Sequence, residues 1–189
     1  VRRFSYPVYT QLKGAELYER KQTGKYSRLN FHEHPDEYNC KFLPYAAQTD
    51  ILMNGVYWDK TVPRLFEKEN VKDENFIIQT IADITDDANG SVPINLGDQT
   101  IEDPVYGIDK TTLEKTAPYL PGSIDIMAVG NLPNELPRDA SRYFGEQLIK
   151  FVLEDLIQGS SDIIEKATIA KNGKLTEGFK YLEDYAEIS

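Results

Sequence analysis

Three short apolar runs are the feature that most limits the possible folds of this chain. They span Thr49–Val56, Phe76–Ile84 and Ile124–Val129. Turn-forming residues close the first and third runs, at Asn54-Gly55 and Gly130-Asn131. Such runs fit strands buried on both faces of a parallel sheet, although a buried helix has the same pattern. We therefore predict an α/β fold built around these strands.

The segments between and after these runs predict the connections. Pro63–Glu69 predicts a short crossover helix. The long region between the second and third runs is rich in proline and glycine, so it is either a functional loop or contains a hairpin. Apolar residues at spacings of three and four predict a long helix from about Asn134 to Gln158, capped by Asn134 and ended by Gly159. We interpret its apolar stripe as core.

The two ends of the chain give weaker patterns. In residues 1–48 we expect a short strand at Val8–Leu12, one or two helical turns at Ala15–Lys21 and a further helical turn within Pro35–Phe42. Near the other end, Lys171–Lys174 predicts a turn between two short strands, and Phe179–Ile188 predicts a terminal helix.

The order of these elements indicates a particular architecture. Strand, helix, strand, long loop, strand and long helix is the order of the second half of a doubly wound α/β domain. Neither G-x-G-x-x-G nor a P-loop occurs, so the phosphate-binding first half is not recognisable. The chain begins with Val1 and not with methionine, and we expect it to be a processed or truncated product.

Composition excludes several classes of partner. Lysine and arginine number 21 and aspartate and glutamate 31, which gives a formal net charge of −10. Such a charge repels phosphate backbones, so we expect neither nucleic acid nor a membrane as partner. The apolar runs are too short to span a bilayer, and no signal peptide is recognisable. The single cysteine, Cys40, gives no sign of an oxidising compartment, and we expect a cytoplasmic protein.

Metal-dependent and nucleophilic catalysis have little support. His32, His34 and Cys40 do not provide four ligands at zinc spacing, so we predict no metal site. No G-x-S-x-G motif is present, and the two histidines lie in a charged stretch typical of a surface. We interpret Cys40 as a small buried apolar side chain. For Trp58 and the tyrosines, a core or interface role is the better interpretation.

The turns after the three runs are the candidate binding site. Ligands of doubly wound sheets bind at the carboxyl ends of the strands, where residues 54–59, 85–90 and 130–133 would meet. Their glycines would let the backbone approach a ligand closely. These turns form either one cofactor crevice or ordinary strand ends, and the residues alone leave both open.

Three aspartates follow the second run closely. Asp83, Asp86 and Asp87 could bind a metal, act as acid or base, or be solvated. If the strand continues, Asp83 and Thr85 project on one side and Asp86 on the other. Asp87 lies beyond the strand, and we expect it to be the one that faces a ligand.

Short motifs occur in a fixed order over most of the chain. They are His34-Pro35-Asp36-Glu37-Tyr38, Ile51–Trp58 with Pro63-Arg64-Leu65, Ala82–Asp87 with Gly90-Ser91, Thr100–Pro104, Asn131-Leu132-Pro133 with Leu136–Ser141 and Tyr143-Phe144-Gly145, and Ala167–Tyr181. In this order they resemble the C-terminal portion of the saccharopine dehydrogenase and lysine–2-oxoglutarate reductase family. The resemblance is strongest to the reductase half of aminoadipic semialdehyde synthases, a group related to alanine dehydrogenases and transhydrogenases.

The resemblance implies a fold and a set of cofactor contacts. That family has two α/β domains, with the nicotinamide cofactor and the substrate in the cleft between them. Residues 1–133 would then be the C-terminal half of a Rossmann-like, doubly wound nucleotide-binding domain. Residues 134–189 would be a long helix and a tail that return to the other, catalytic domain. The implied cofactor-binding residues are Gly55, Val56 and Tyr57 at the nicotinamide, Asp87 at its ribose, and Asn131, Leu132 and Pro133 at the nicotinamide end.

The sequence also departs from the family pattern. Asn89 replaces one glycine of a usual pair, and Pro93 replaces a frequent glutamate, which puts the exact substrate in doubt. The family's phosphate loop and its catalytic lysine and histidine belong to earlier segments, so no catalytic residue is assigned here. The resemblance thus implies an incomplete part of an oxidoreductase that uses NAD or NADP and acts on an amino acid of the saccharopine or lysine type. Its partner would be the missing N-terminal part of the same enzyme.

Two alternatives stay open. The first is an alanine-dehydrogenase-like oxidoreductase with the same cofactor geometry. The second is a non-catalytic binding module that kept the scaffold and lost the enzyme.

Overall fold

A computed structural model describes residues 6–159 and 161–186. The chain divides into two compact units, residues 1–131 and 132–189. In the first unit the strands are β1 (Tyr18–Arg20), β2 (Tyr38–Cys40), β3 (Ile51–Asn54), β4 (Thr80–Asp83), β5 (Val105–Asp109), β6 (Lys115–Thr116) and β7 (Ser123–Met127). Its helices are α1 (Gly14–Leu17), α2 (Arg28–Glu33) and α3 (Leu43–Ala46), with 3₁₀ turns at Pro35–Glu37 and Lys68–Lys72.

A five-stranded sheet organises the first unit. Its strand order is β3-β4-β7-β5-β6. β3, β4 and β7 run parallel, whereas β5 pairs antiparallel with both β7 and β6. The prediction of strands in the three apolar runs is confirmed, and so is the α/β class. The prediction of an entirely parallel sheet was wrong, because the proline- and glycine-rich region folds into the β5–β6 hairpin, whose strands add to the sheet in antiparallel pairing.

One face of this sheet forms the core. Ile81, Ile108, Ile124 and Ile126 are fully buried there. On the edge strand β3 the alternate residues are exposed, Ile51 by 64% and Met53 by 74%. The prediction that all three runs are buried on both faces is therefore wrong for β3. Its apolar side chains and its free hydrogen-bonding edge are left uncovered by the described residues.

The N-terminal part packs a small aromatic layer beside the sheet. β1 and β2 pair antiparallel, and the Phe31 ring lies 4.5 Å from the Tyr18 ring and 5.0 Å, edge-on, from the Tyr38 ring. Pairing with β2 gives the backbone of Tyr18–Arg20 its hydrogen bonds, so the predicted helical turns at Ala15–Lys21 end at Leu17.

Other predictions for the first unit need correction. Val8–Leu12 has no regular structure, and of Pro35–Phe42 only Pro35–Glu37 is helical before β2 begins. The crossover segment Pro63–Glu69 is not an α-helix, and a 3₁₀ turn begins only at Lys68. Within this segment the consecutive residues Leu65 and Phe66 are both buried in the core.

The second unit is mainly helical. It contains a 3₁₀ turn at Leu132–Glu135, α4 (Pro137–Phe151), α5 (Leu153–Gln158), α6 (Asp162–Ala167), β8 (Ala170–Lys171), β9 (Lys174–Leu175), a 3₁₀ turn at Glu177–Leu182 and α7 (Glu183–Ala186). The predicted turn between short strands is confirmed by the pairing of β8 with β9. The terminal helix is part 3₁₀ and part α, and residues 187–189 lie outside the described residues.

The predicted long helix exists but differs in detail. It is broken at Val152 into α4 and α5, and Leu136 takes the N-cap position in place of Asn134. Gly159 ends it in the left-handed conformation, as predicted. The apolar stripe is not core, since Phe144 is 65% exposed and Leu156 60% exposed.

Candidate functional site

The carboxyl ends of β3, β4 and β7 lie side by side at one edge of the sheet. In the register of the parallel strands, Asn54 lies opposite Asp83 and Ala82 lies opposite Met127. The turns that follow these strands therefore leave from the same edge. This is the edge at which doubly wound sheets bind ligands.

Asp83 is the centre of a buried polar network at this edge. Its carboxylate is 1% exposed and accepts hydrogen bonds from Asn54 Nδ2 and Asn95 Nδ2, both at 2.8 Å. The Thr85 hydroxyl donates at 2.7 Å and the Thr85 backbone N–H at 3.2 Å. No cation pairs with Asp83 among the described residues, so these four donors stabilise the buried charge.

The network continues into the loop after β4. Asn54 Nδ2 also donates to Ser91 Oγ at 2.7 Å. The Tyr106 hydroxyl donates to Asn95 Oδ1 at 2.9 Å and accepts from the Leu96 N–H at 2.7 Å. Burial raises the pKa of Tyr106, which keeps this hydroxyl protonated as a donor. The loop is thereby tied to β3, β4 and β5 and holds one shape at the strand ends.

Two further carboxylates meet over the end of β7. A Cβ placed on Gly130 would lie 2.6 Å from Asp98 Oδ1 and 3.0 Å from Asp86 Oδ2. Only glycine leaves room for both groups at this backbone position. Asp86 itself has φ +55°, in the left-handed region that most residues avoid.

The pKa of the Asp86 carboxyl group lies near neutral pH. Burial, followed by the hydrogen bond to Asp98 and the charges of Asp98, Asp83 and Asp87, raises the pKa of Asp86 from 3.8 to about 7. Asp86 Oδ1 is buried and has no hydrogen-bond partner among the described residues. Two carboxylates this close do not both ionise readily, so the pair shares one proton.

This shared proton predicts a pH dependence of stability. Because the pKa of Asp86 is higher in the folded chain than in the unfolded chain, the folded state binds more protons between about pH 4 and pH 7. The contribution of this pair to the free energy of unfolding should therefore fall as pH rises through that window and level off above it. Asp98→Asn puts an amide donor beside Asp86 and should flatten the slope, as urea unfolding at a series of pH values would measure.

The matched control is Glu74→Gln, an exposed residue before β4, at the opposite edge of the sheet. It should keep the slope of the parent chain. Parallel pH profiles for the parent chain and Asp98→Asn would contradict the shared proton.

Several residues predicted to bind the cofactor lie at this carboxyl edge. Gly55, Val56 and Tyr57 follow β3 directly, and Tyr57 is 83% exposed. Asp87 follows β4 and is exposed, and Asn131 follows β7 with φ +51°. The other two predicted residues, Leu132 and Pro133, begin the second unit in its first 3₁₀ turn.

The space around two glycines differs in a way that bears on ligand approach. At Gly55 an added Cβ would meet nothing within 4 Å, so the backbone is open to a ligand there. At Gly90 it would lie 2.5 Å from Asp87 Cβ and 2.9 Å from the Asp87 carbonyl oxygen. Gly90 therefore sets the tight turn that presents Asp87.

The three aspartates divide into three environments. Asp83 is neither solvated nor exposed, Asp86 pairs with Asp98, and Asp87 alone is open to solvent. The strand does not continue to Thr85, as that prediction required, because β4 ends at Asp83; Thr85 bonds to the Asp83 carboxylate from the turn that follows. Sequence reasoning missed Ser91, Asn95, Asp98 and Tyr106. No local pattern marks these residues, since their partners are distant in sequence.

Among residues 6–159 and 161–186, no group of three or more His, Cys, Asp or Glu side chains is arranged to hold a metal ion. In the same residues, no helix has the length and apolar character needed to cross a bilayer. Cys40 is half-buried, and burial raises the pKa of its thiol.

Comparison with known proteins gives relatives over most of the chain. No family model matches. The chain is 28% identical over 198 residues to the mitochondrial alpha-aminoadipic semialdehyde synthase of Mus musculus. The matched region is 89% of this chain and 21% of that protein. The Arabidopsis thaliana alpha-aminoadipic semialdehyde synthase is 28% identical over 191 residues, or 94% of this chain and 18% of that protein.

A third relative is the saccharopine dehydrogenase [NAD(+), L-lysine-forming] of Candida albicans, 32% identical over 113 residues, or 57% of this chain and 27% of that protein. The chain thus spans about a fifth to a quarter of the length of these relatives. The mouse relative is named as a mitochondrial protein, and the cytoplasmic location expected for this chain stays a prediction. These matches, spread over most of the chain, support its membership of the saccharopine dehydrogenase family.

Proposed function

We propose that this chain is the nicotinamide-positioning part of an NAD(P)-dependent oxidoreductase that acts on an amino acid of the saccharopine or lysine type. The observation that carries the proposal is the carboxyl edge of β3, β4 and β7, where exposed Gly55, Tyr57, Asp87 and Asn131 follow adjacent parallel strands. The names of the relatives supply the reaction class.

The residues at this edge fit the nicotinamide end of a dinucleotide. The open space at Gly55 admits a flat ring against the backbone, and the exposed carboxylate of Asp87 can accept hydrogen bonds from ribose hydroxyls. The buried network around Asp83 holds both loops in place without using these groups. When bound, the cofactor would supply hydride transfer at C4 of its nicotinamide.

In this proposal the sheet is the second half of a Rossmann-like domain, with a functional boundary near residue 133. Leu132 and Pro133 would contact the nicotinamide end, and residues 134–189 would serve the other domain.

The remainder of the enzyme would come from further polypeptide. The free edge of β3, with Ile51 and Met53 exposed, offers a place for an additional parallel strand and a covering layer. The low share of each relative that the chain covers agrees with an N-terminal part that carries the phosphate loop.

Asp87→Ala tests the assigned role at the ribose. In the longer polypeptide that contains this chain, we expect about a tenfold increase in the Kd for NADH or NADPH. This increase corresponds to the loss of about one charge-assisted hydrogen bond. Fluorescence of the reduced nicotinamide on titration would measure it.

Glu74→Ala removes an exposed carboxylate at the opposite edge of the sheet and should leave the Kd unchanged. Equal affinities for Asp87→Ala and the parent protein would refute the assignment of Asp87. Tight dinucleotide binding with turnover of alanine in place of saccharopine would favour the alanine-dehydrogenase alternative.

A further inference from the structure

A cleft of about 840 Å³ lies in the first unit, walled by three separate segments. The end of the β1–β2 layer contributes Lys21, the loop after β3 contributes Trp58, Lys60 and Arg64, and the loop after β4 contributes Asn89. None of the residues proposed above to face the nicotinamide lines this cleft. Trp58 and Asn89 lie on the same two loops as Tyr57 and Asp87, so this cleft is a second candidate site that neighbours the first but shares none of its proposed contacts.

Arg64 is held rigidly in the wall of this cleft. Its guanidinium lies over the Trp58 ring, 4.9 Å from the centroid. Nη2 donates to the Asn89 carbonyl oxygen at 2.7 Å, and Nη1 lies 3.4 Å from Glu67 Oε2. Trp58 is fixed in turn, because its Nε1 donates to the Val62 carbonyl oxygen at 2.7 Å. The guanidinium is thus placed before any ligand arrives.

One donor of this guanidinium has no acceptor. Arg64 Nε is buried and donates to no acceptor among the described residues. A buried N–H of a charged group without an acceptor is costly, and such groups in folded proteins call for an explanation. The planar guanidinium presents pairs of N–H groups that match the two oxygens of a carboxylate or phosphate.

The charge of the cleft points in the same direction. Three cationic side chains, Lys21, Lys60 and Arg64, line it against the two carboxylates of Asp36 and Glu67. Acidic residues outnumber basic ones in the whole chain, by 31 to 21, so a cleft with excess positive charge stands out from its surroundings. An anion would be attracted here and repelled from most of the remaining surface.

We propose that this cleft binds a small oxyanion, the carboxylate or phosphate group of a metabolite, with the Arg64 guanidinium as its central cation and Lys60 as a supporting charge. Carboxylate and phosphate offer the same paired oxygens to a guanidinium, so the site is defined by that shared chemistry. The indole of Trp58 forms an apolar wall for the carbon part of the ligand.

Trp58 is the only tryptophan, so its fluorescence reports directly on this cleft. The 189-residue chain would be titrated with citrate in one series and inorganic phosphate in another, with sodium chloride at equal ionic strength as the reference. We expect a saturable change with at least one of the two anions and none with sodium chloride. The anion that binds more tightly identifies the oxyanion class.

Variants separate a specific site from general attraction. Arg64→Gln should weaken binding at least tenfold, and Arg64→Lys, which keeps the charge but lacks the planar guanidinium, should weaken it nearly as much. Lys60→Ala, at an exposed residue, should weaken it about threefold and keeps the test valid if Arg64 variants do not fold. Lys72→Ala, a lysine outside the cleft, should have no effect.

Two results would overturn the proposal. One is a response to citrate and phosphate no larger than that to sodium chloride. The other is equal binding by the parent chain, Arg64→Lys and Lys60→Ala. Neither result depends on a dinucleotide, so failure here is distinct from failure of the proposed nicotinamide site.

Discussion

Asp83→Ala should destabilise the first unit by about 3 kcal/mol or more, because it leaves buried donors without an acceptor. Asn54 Nδ2, Asn95 Nδ2 and the Thr85 hydroxyl all donate to this carboxylate. In this variant Asn54 Nδ2 still has Ser91 Oγ as an acceptor, whereas Asn95 Nδ2 has no second acceptor in the network around Asp83. Urea unfolding followed by the fluorescence of Trp58 would measure the loss as a lower midpoint.

A graded series makes this prediction sharper. Ser91→Ala removes one acceptor of Asn54 and should cost about 1 kcal/mol. Asp87→Ala removes the exposed neighbour and should change the free energy of unfolding by less than about 0.5 kcal/mol. Equal midpoints for Asp83→Ala and Asp87→Ala would show that Asp83 is not the structural centre of this edge.

The isolated 189-residue chain should show no turnover and weak or no binding of NADH or NADPH. Neither G-x-G-x-x-G nor a P-loop occurs in it, so it lacks a recognisable site for the pyrophosphate at a helix N-terminus. Joined to the preceding polypeptide of the same enzyme, it should gain binding in the micromolar range, a difference of about 3 kcal/mol or more from millimolar binding. Calorimetric titration of both proteins with each dinucleotide would measure this.

Normal activity of the isolated chain would contradict the incomplete-enzyme proposal. Absence of binding and turnover in the longer polypeptide as well would favour the alternative, a module that kept the scaffold and lost catalysis. The comparison of the two lengths therefore separates the hypotheses that the sequence left open.

The three parallel strands were predictable because burial requires an apolar run and a strand end requires turn residues. β5 and β6 were not located, because their segments are short and lie among prolines and glycines. The failed crossover helix has a similar origin. There the packing of Leu65 and Phe66 in the core overrides the local preference for a helix.

The candidate site was predictable only in outline. Glycine, asparagine and aspartate after each strand indicated turns that meet at one edge of the sheet, because the carboxyl ends of parallel strands lie together. The roles of Asp83 and Asp86 were not predictable. Their environments are set by residues far along the chain, Asn95, Asp98 and Tyr106, and no alternation or spacing in the sequence records such contacts.

The exposure of α4 and α5 has a related explanation. Periodicity shows that a helix has an apolar face, but it does not show which polypeptide covers that face. Phe144 and Leu156 follow the predicted stripe and remain exposed in the described chain. Their spacing was interpreted correctly as amphipathic and wrongly as core.

The central claim is that the loops after β3, β4 and β7 face the nicotinamide. The most direct measurement is NMR of the longer polypeptide, following the backbone amides of Gly55, Val56, Asp87 and Asn131 during titration with NADH and, separately, with ADP-ribose. Both ligands carry the adenosine and the diphosphate, but ADP-ribose lacks the nicotinamide ring. We predict that NADH shifts these amides strongly and ADP-ribose shifts them little. Equal shifts with the two ligands, or no shifts with bound NADH, would contradict the account.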